Sequence, residues 1–381
     1  IITHDNDNDN TPIVPRSMII NLLKSCAKYD IKATLDIHTY PGGTSPGTFS
    51  GVWPRWPRFW THGDASSEKD IGRQLWKNIV HWLELLDDDI LQGLQGITPM
   101  NEPGHLAGIF ANGKIVNGNI IQKPYLPPLL PDTAQSYLNK LSSNNNKHTT
   151  KIPDGPHLRV LKWLDDAVDV FRESSLQKRG IHLIMNVHES LFEPTLFSDS
   201  EYKEDYNPQT YLIAAWWSRI TTAAERRTWA VLDIHHYHAW SPQCMGATTN
   251  NNDNNTVIAS YRCNNITERT DTLTKCFKWA NSLRTAIIEE CVDGTNALLM
   301  SGEMSASTHH SVKVSCLDTD TLKSSYKGQL NAARQANIDL YWWSYTMPYG
   351  DLFRSAWSFK HFLYRMGITT NNTSSNNNGS S

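Results

Sequence analysis

The chain has 381 residues, and 35 Lys+Arg against 38 Asp+Glu leave a formal net charge of −3. That balance argues against the strongly basic face of a nucleic-acid binder, and no apolar run approaches the ~20 residues of a membrane helix. With 39% hydrophobic residues and 14 Trp, the composition is that of a globular protein able to bury a large core.

The chain opens on Ile1-Ile2-Thr3-His4 and an Asn/Asp run. It shows no Met, basic segment or apolar segment of a signal peptide, so it reads as a fragment that begins after its true N-terminus. Short apolar runs then recur, each closing on polar residues. They are Ala33–His38, Leu94–Glu102, Ile181–His188, Ala230–Tyr237, Ala297–Glu303 and Ile338–Tyr345. Apolar throughout rather than alternating, they predict buried parallel strands. Helical patterns lie between them at Ser17–Lys28, Ile71–Leu86, Leu158–Ser175, Leu212–Ala224, Thr272–Glu290 and Leu322–Ala336. This alternation predicts βαβ units and an α/β fold.

The strand ends from His38 to Trp343 lie about 61 residues apart on average, roughly twice the ~30 of a minimal βαβ unit. The surplus falls in loops after the strands, where a (β/α)8 barrel builds its active site. Residues 1–366 are expected to form one such catalytic domain, and 367–381 a disordered Asn/Ser-rich tail. The polar run at 141–151 reads the same way.

Six cysteines (Cys26, Cys244, Cys263, Cys276, Cys291, Cys316) contain no C-x-x-C pair, which argues against a zinc ribbon or redox site. Those from Cys244 onward suit disulfides in an oxidising compartment. Sequons at Asn254, Asn265, Asn371, Asn372 and Asn378 point the same way, although Asn-rich tracts also create them by chance.

Asn101-Glu102-Pro103 and Gly302-Glu303 each set a carboxylate at a strand end. Glycoside hydrolysis needs such a pair, one carboxyl protonated to donate to the leaving oxygen and one ionised to attack the anomeric carbon. Asp36-Ile37-His38 and Asp233-Ile234-His235-His236-Tyr237 add imidazoles and a phenol. Trp343 offers an indole face for a sugar ring, whereas Trp342 reads as core. Trp53, Trp56, Phe59 and Trp60 form either a stacking platform or a loop's own core.

In order, LDIHTYPGG, GITPMNEP, VLDIHHYHAW, SGEMSAS and YWWSYT resemble glycoside hydrolase family 5, and within it the fungal-type exo-β-1,3-glucanase branch. The resemblance spans roughly His38 to Tyr345. It implies a TIM barrel from which strands 1 and 2 are absent, with the strand-2 arginine that helps position the nucleophile. It further implies a retaining β-glucanase, most simply on β-1,3-glucan, with Glu102 as acid/base and Glu303 as nucleophile. Asn101 would bind the sugar 2-hydroxyl, Tyr237 would support Glu303, and His235 would lie near the acid/base. His38 and Trp343 would line the −1 subsite. Departures fall at Thr39-Tyr40, where Gly-Ala is usual, at His238 for Gln, and at Met304 for Trp. The expected partner is a β-glucan, with no cofactor, no metal, no nucleic acid and no membrane span. The expected state is an extracellular or cell-wall monomer. The competing readings are β-1,4- or β-1,6-glucanase, a metal-dependent barrel hydrolase using Asp36, His38, His188, His235 and His236, and a non-catalytic sugar-binding relative.

Overall fold

Each of the six predicted apolar runs forms a strand in the structure, a computed structural model that describes residues 14–41, 59, 67–102, 114–116, 119–121, 156–186, 217, 220–239, 297–308, 316–347 and 356–368. The chain divides into two units, Ile1–Ile234 with Ser282–Leu299 and His235–Asn281 with Met300–Ser381.

In the first unit β1 (Ala33–Asp36), β2 (Leu94–Thr98), β5 (His182–Asn186) and β6 (Ala230–Asp233) pair in that order, all parallel. A short antiparallel ladder joins β3 (Lys114–Val116) to β4 (Asn119–Ile121), neither of which the sequence pattern signalled. Around the parallel strands run α1 (Arg16–Lys28), α2 (Ser67–Glu84), α3 (Asp88–Leu91), α4 (Pro156–Glu173) and α5 (Ala223–Thr228). The core is apolar on both sides of the strands: Leu94, Ile97, Leu183, Met185 and Leu232 from the sheet, with Trp76, Leu83, Trp163, Leu164 and Phe171 from the helices. Strands buried on both faces are what continuous apolar runs require.

Local chemistry sets several of these boundaries. Pro15 precedes α1, where its missing N–H costs the helix nothing. Thr222 and Glu225 form a reciprocal capping box that starts α5. Gly93 lets α1 approach β2, since a Cβ there would fall 2.0 Å from the Leu23 carbonyl oxygen. Arg172 ties α4 to α5 through Glu225 (2.6 Å). Burial pushes the Glu225 carboxyl up, but the hydrogen bonds and charge of Arg172 and the Thr222 N–H outweigh it and hold the group below its usual range.

In the second unit β7 (Leu298–Met304, whose first two residues belong to the first unit) pairs in parallel with β8 (Asp339–Trp342). Their register shifts between Ser301 and Met304, an irregularity beside Glu303. Helix α6 (Thr319–Gln335) starts on the Asp318 side chain, which accepts the Thr321 N–H at 2.8 Å. Helix α7 (Phe359–Arg365) begins on Ser358. The apolar cluster here joins Leu322, Met347, Trp357 and Phe362, with Tyr326, Trp342 and Phe359 packed against it.

Strands β1, β2, β5, β6 and β8 stop short of the ends of their runs, at Asp36, Thr98, Asn186, Asp233 and Trp342, whereas β7 continues one residue past Glu303. Helices α2 and α4 begin a few residues earlier than their apolar periodicity does, because polar first turns carry no periodic signal. Within the predicted helix Leu212–Ala224, Trp217 and Ile220 are helical, and Ala223 and Ala224 open α5 after the Thr222 cap. The predicted helix Thr272–Glu290, Cys244, Cys263, Cys276, Cys291, the five sequons, Trp53, Trp56, Trp60, His188, the 141–151 run and residues 369–381 lie outside the described residues. Cys26 is a free thiol. Among the described residues no helix is long and apolar enough to cross a membrane.

Candidate active site

On the first unit the chemistry-bearing residues follow the carboxyl ends of the parallel strands. After β1, His38 Nε2 sits 2.9 Å from Asp36 Oδ2. After β2 the chain turns so that Asn101 donates its backbone N–H to the Ile37 carbonyl at 2.9 Å. Asn101 and Glu102 are both buried. Glu102 has φ of 40°, a left-handed backbone that costs a non-glycine residue on the order of 1–2 kcal/mol. Its N–H donates to Asn186 Oδ1 at 2.9 Å, and Asn186 Nδ2 in turn donates to Asp233 Oδ2 at 3.2 Å. Asn186 and Asp233 are opposite one another in the β5–β6 register.

The Thr39-Tyr40 departure resolves into packing. The Tyr40 ring lies against Phe59 and Trp163, and its hydroxyl donates to the Pro99 carbonyl at 2.6 Å. Burial, and then the charge of Asp36, push the phenol pKa well up. Phe59 is fully buried, so for this residue the loop-core alternative holds over the stacking platform.

On the second unit Glu303 is the centre. The Tyr237 hydroxyl donates to Glu303 Oε2, and His235 Nδ1 lies 3.5 Å from the same oxygen. Behind the carboxylate, the His236 N–H donates both to the Glu303 carbonyl and to Ser301 Oγ, each at 3.1 Å. Ser301 Oγ in turn donates to the Glu303 carbonyl at 3.1 Å. A buried hydroxyl thus ties the strand carrying Glu303 to the segment carrying Tyr237.

Trp343 is 36% exposed and donates its backbone N–H to the Met304 carbonyl, while Trp342 packs on Phe359 and Phe362. Solvent-facing and core roles divide between the two indoles as their order in the strand predicts. Trp357, which sequence reasoning passed over, contacts the rings of both Tyr237 and Trp343, at 5.3 and 5.8 Å between centroids. Asn186 and Ser301 were missed as well. Short polar residues at the end of, or within, an apolar strand are the signal that marks them, and it is a weak one.

His238 is fully enclosed, edge-on to His236 at 5.0 Å, with Gln329 as its hydrogen-bond neighbour. Burial, then the charge of His236, lower its pKa well below the usual imidazole value. The folded protein therefore holds His238 neutral at pH values where the unfolded chain protonates it. Below about pH 6.5, stability falls as pH falls, by up to about 1.4 kcal/mol per pH unit from this residue. His238→Gln removes the titration, so its melting temperature, measured from pH 7 to 5, is expected to fall less steeply than that of the parent. Parallel slopes would contradict this assignment.

The residues thus assemble as two sets: Asp36–His38, Asn101, Glu102, Asn186 and Asp233 on one unit, and His235, Tyr237, Ser301 and Glu303 on the other. Carboxylates, imidazoles, amides and a phenol at strand ends supply proton donors, proton acceptors and hydroxyl-binding groups. The parallel strands alternating with helices define an α/β protein, consistent with part of a (β/α) barrel. A closed eight-stranded barrel is not seen among the described residues.

No protein-family profile matches this chain, and no curated protein matches it. Among solved structures, the crystal structure of rutinosidase from Aspergillus niger overlaps it with a TM-score of 0.46 at 13% identity, over 90% of this chain and 68% of that one.

Proposed function

We propose that this chain is a retaining β-glycosidase of the family 5 type, cleaving β-glucan and most simply its β-1,3 linkages. The observation that carries this reading is the Glu303 carboxylate, buried at a strand end and met at one oxygen by the Tyr237 hydroxyl and the His235 imidazole. A carboxylate oriented in this way is suited to nucleophilic attack.

The reaction proceeds in two displacements. Glu102 donates a proton to the glycosidic oxygen while a Glu303 oxygen attacks the anomeric carbon, forming a glycosyl ester and releasing the leaving alcohol. Glu102, now ionised, takes a proton from water, and that water attacks the anomeric carbon to release the sugar and Glu303. Asn101 holds the sugar 2-hydroxyl, and His38 and Trp343 line the subsite. No cofactor enters either step. The enzyme acts as a monomer outside the cell or at the wall. The sequons are the sequence feature that suits that compartment.

A 2-deoxy-2-fluoro-β-glucoside with an activated leaving group tests the proposal. It should inactivate the protein and leave a fluoroglucosyl label on the peptide carrying Glu303, with the Glu102 and Glu303 carboxyls ~5–5.5 Å apart in a crystal of the adduct. Hydrolysis with inversion at the anomeric carbon, or a label on another residue, would sink it.

A further inference from the structure

We propose that Asn186 is a positioning residue for Glu102, aiming the acid/base carboxyl by holding its backbone in the left-handed conformation. The inference rests on the glycosidase reading above and adds to it a residue outside the proposed catalytic set.

Asn186 ends β5 and is fully buried, so each polar atom of its amide needs a partner. The β5–β6 register sets it opposite Asp233. Its Nδ2 donates to Asp233 Oδ2 at 3.2 Å and approaches the Asp233 carbonyl at 3.5 Å. Both neighbours on that side are acceptors, so the amide can present only its NH2 group there. The reverse orientation would set oxygen against oxygen. Asp233 therefore dictates that Asn186 Oδ1 faces the other way, and there it accepts the Glu102 N–H at 2.9 Å. The hydrogen bond lands on the one residue of this strand end whose φ is positive, 40°. An L-residue leaves that region readily unless its surroundings hold it. One amide thus links the ends of β2, β5 and β6, and the direction in which Glu102 leaves the backbone depends on it.

The test is Asn186→Ala, with Asn186→Ser carried beside it as the milder change, since the hydroxyl is too short to span both partners. A double exchange, Asn186→Asp with Asp233→Asn, retains an acceptor for the Glu102 N–H and a donor–acceptor pair behind it. kcat/KM is measured on an unactivated β-glucan oligosaccharide and on an aryl β-glucoside with a good leaving group. Whichever single variant folds should lose roughly 10–100-fold on the oligosaccharide and less than about 3-fold on the aryl glucoside, because only the former needs a well-aimed proton. The double exchange should recover most of the loss. Equal losses on both substrates, or a double exchange no better than the single variant, would overturn the inference. Glu102→Ala, assayed in parallel, separates the two layers: if it too fails to discriminate between the substrates, the acid/base reading itself has failed.

Discussion

Glu303→Ala is expected to abolish turnover, by on the order of 10⁴-fold or more on every β-glucoside substrate, because no covalent intermediate can form. The loss should be chemical rather than structural. The backbone at Glu303 is held by the His236 N–H and the Ser301 hydroxyl, neither of which touches the deleted carboxylate. Melting temperature and near-UV circular dichroism should therefore stay close to those of the parent. Azide, small enough to enter the vacated space, should attack the anomeric carbon directly and yield an α-glycosyl azide, inverted relative to the substrate. Retained hydrolysis in this variant would remove Glu303 from the nucleophile role.

Glu102→Ala has a different signature. Loss of the general acid should cost about 10²–10⁴-fold in kcat/KM on unactivated glucan. On a substrate with a good leaving group kcat/KM should change little, since that departure needs no proton. The glycosyl-enzyme should then accumulate, because the same carboxylate no longer activates water. Azide should relieve the block and give the β-glycosyl azide, with net retention. Opposite anomers from the two variants form an internal control that a general loss of folding cannot reproduce. Equal losses on activated and unactivated substrates in the Glu102 variant would contradict its role.

The strands were legible because a parallel strand enclosed on both faces is mostly apolar, and LQGIT, HLIMN and AVLD carry buried apolar residues on both faces, with Thr98, Asn186 and Asp233 closing them. Their outer limits were less legible. The runs Ala33–His38 and Ala230–Tyr237 continue past the ladder into residues that bond elsewhere: His38 to Asp36, and Tyr237 to Glu303. Apolar or aromatic character persists there for reasons of site chemistry, so composition overstates strand length. Helix α7 and the β3–β4 ladder escaped because each is too short for periodicity to build.

The candidate site divides in the same way. Glu102, Glu303, His38, Asn101, His235, Tyr237 and Trp343 could be singled out by residue type and position at strand ends, since those positions carry chemistry in α/β folds. Their supports could not. Nothing in the order of residues says that the Asn186 amide turns its oxygen to Glu102; that follows from the register setting it opposite Asp233. Nor does the sequence distinguish Ser301 from any other strand serine. Its role arises where the β7–β8 register shifts and the His236 N–H comes within reach. Trp357 lies 54 residues beyond Glu303 and reaches the Tyr237 ring only through the fold. Sequence by itself determined which side chains are available and on which strands, because burial demands a readable pattern of apolar residues. The tertiary structure alone decided which polar atoms meet, because hydrogen bonds depend on register and backbone angle to within a few tenths of an ångström, and neither quantity is written in residue type.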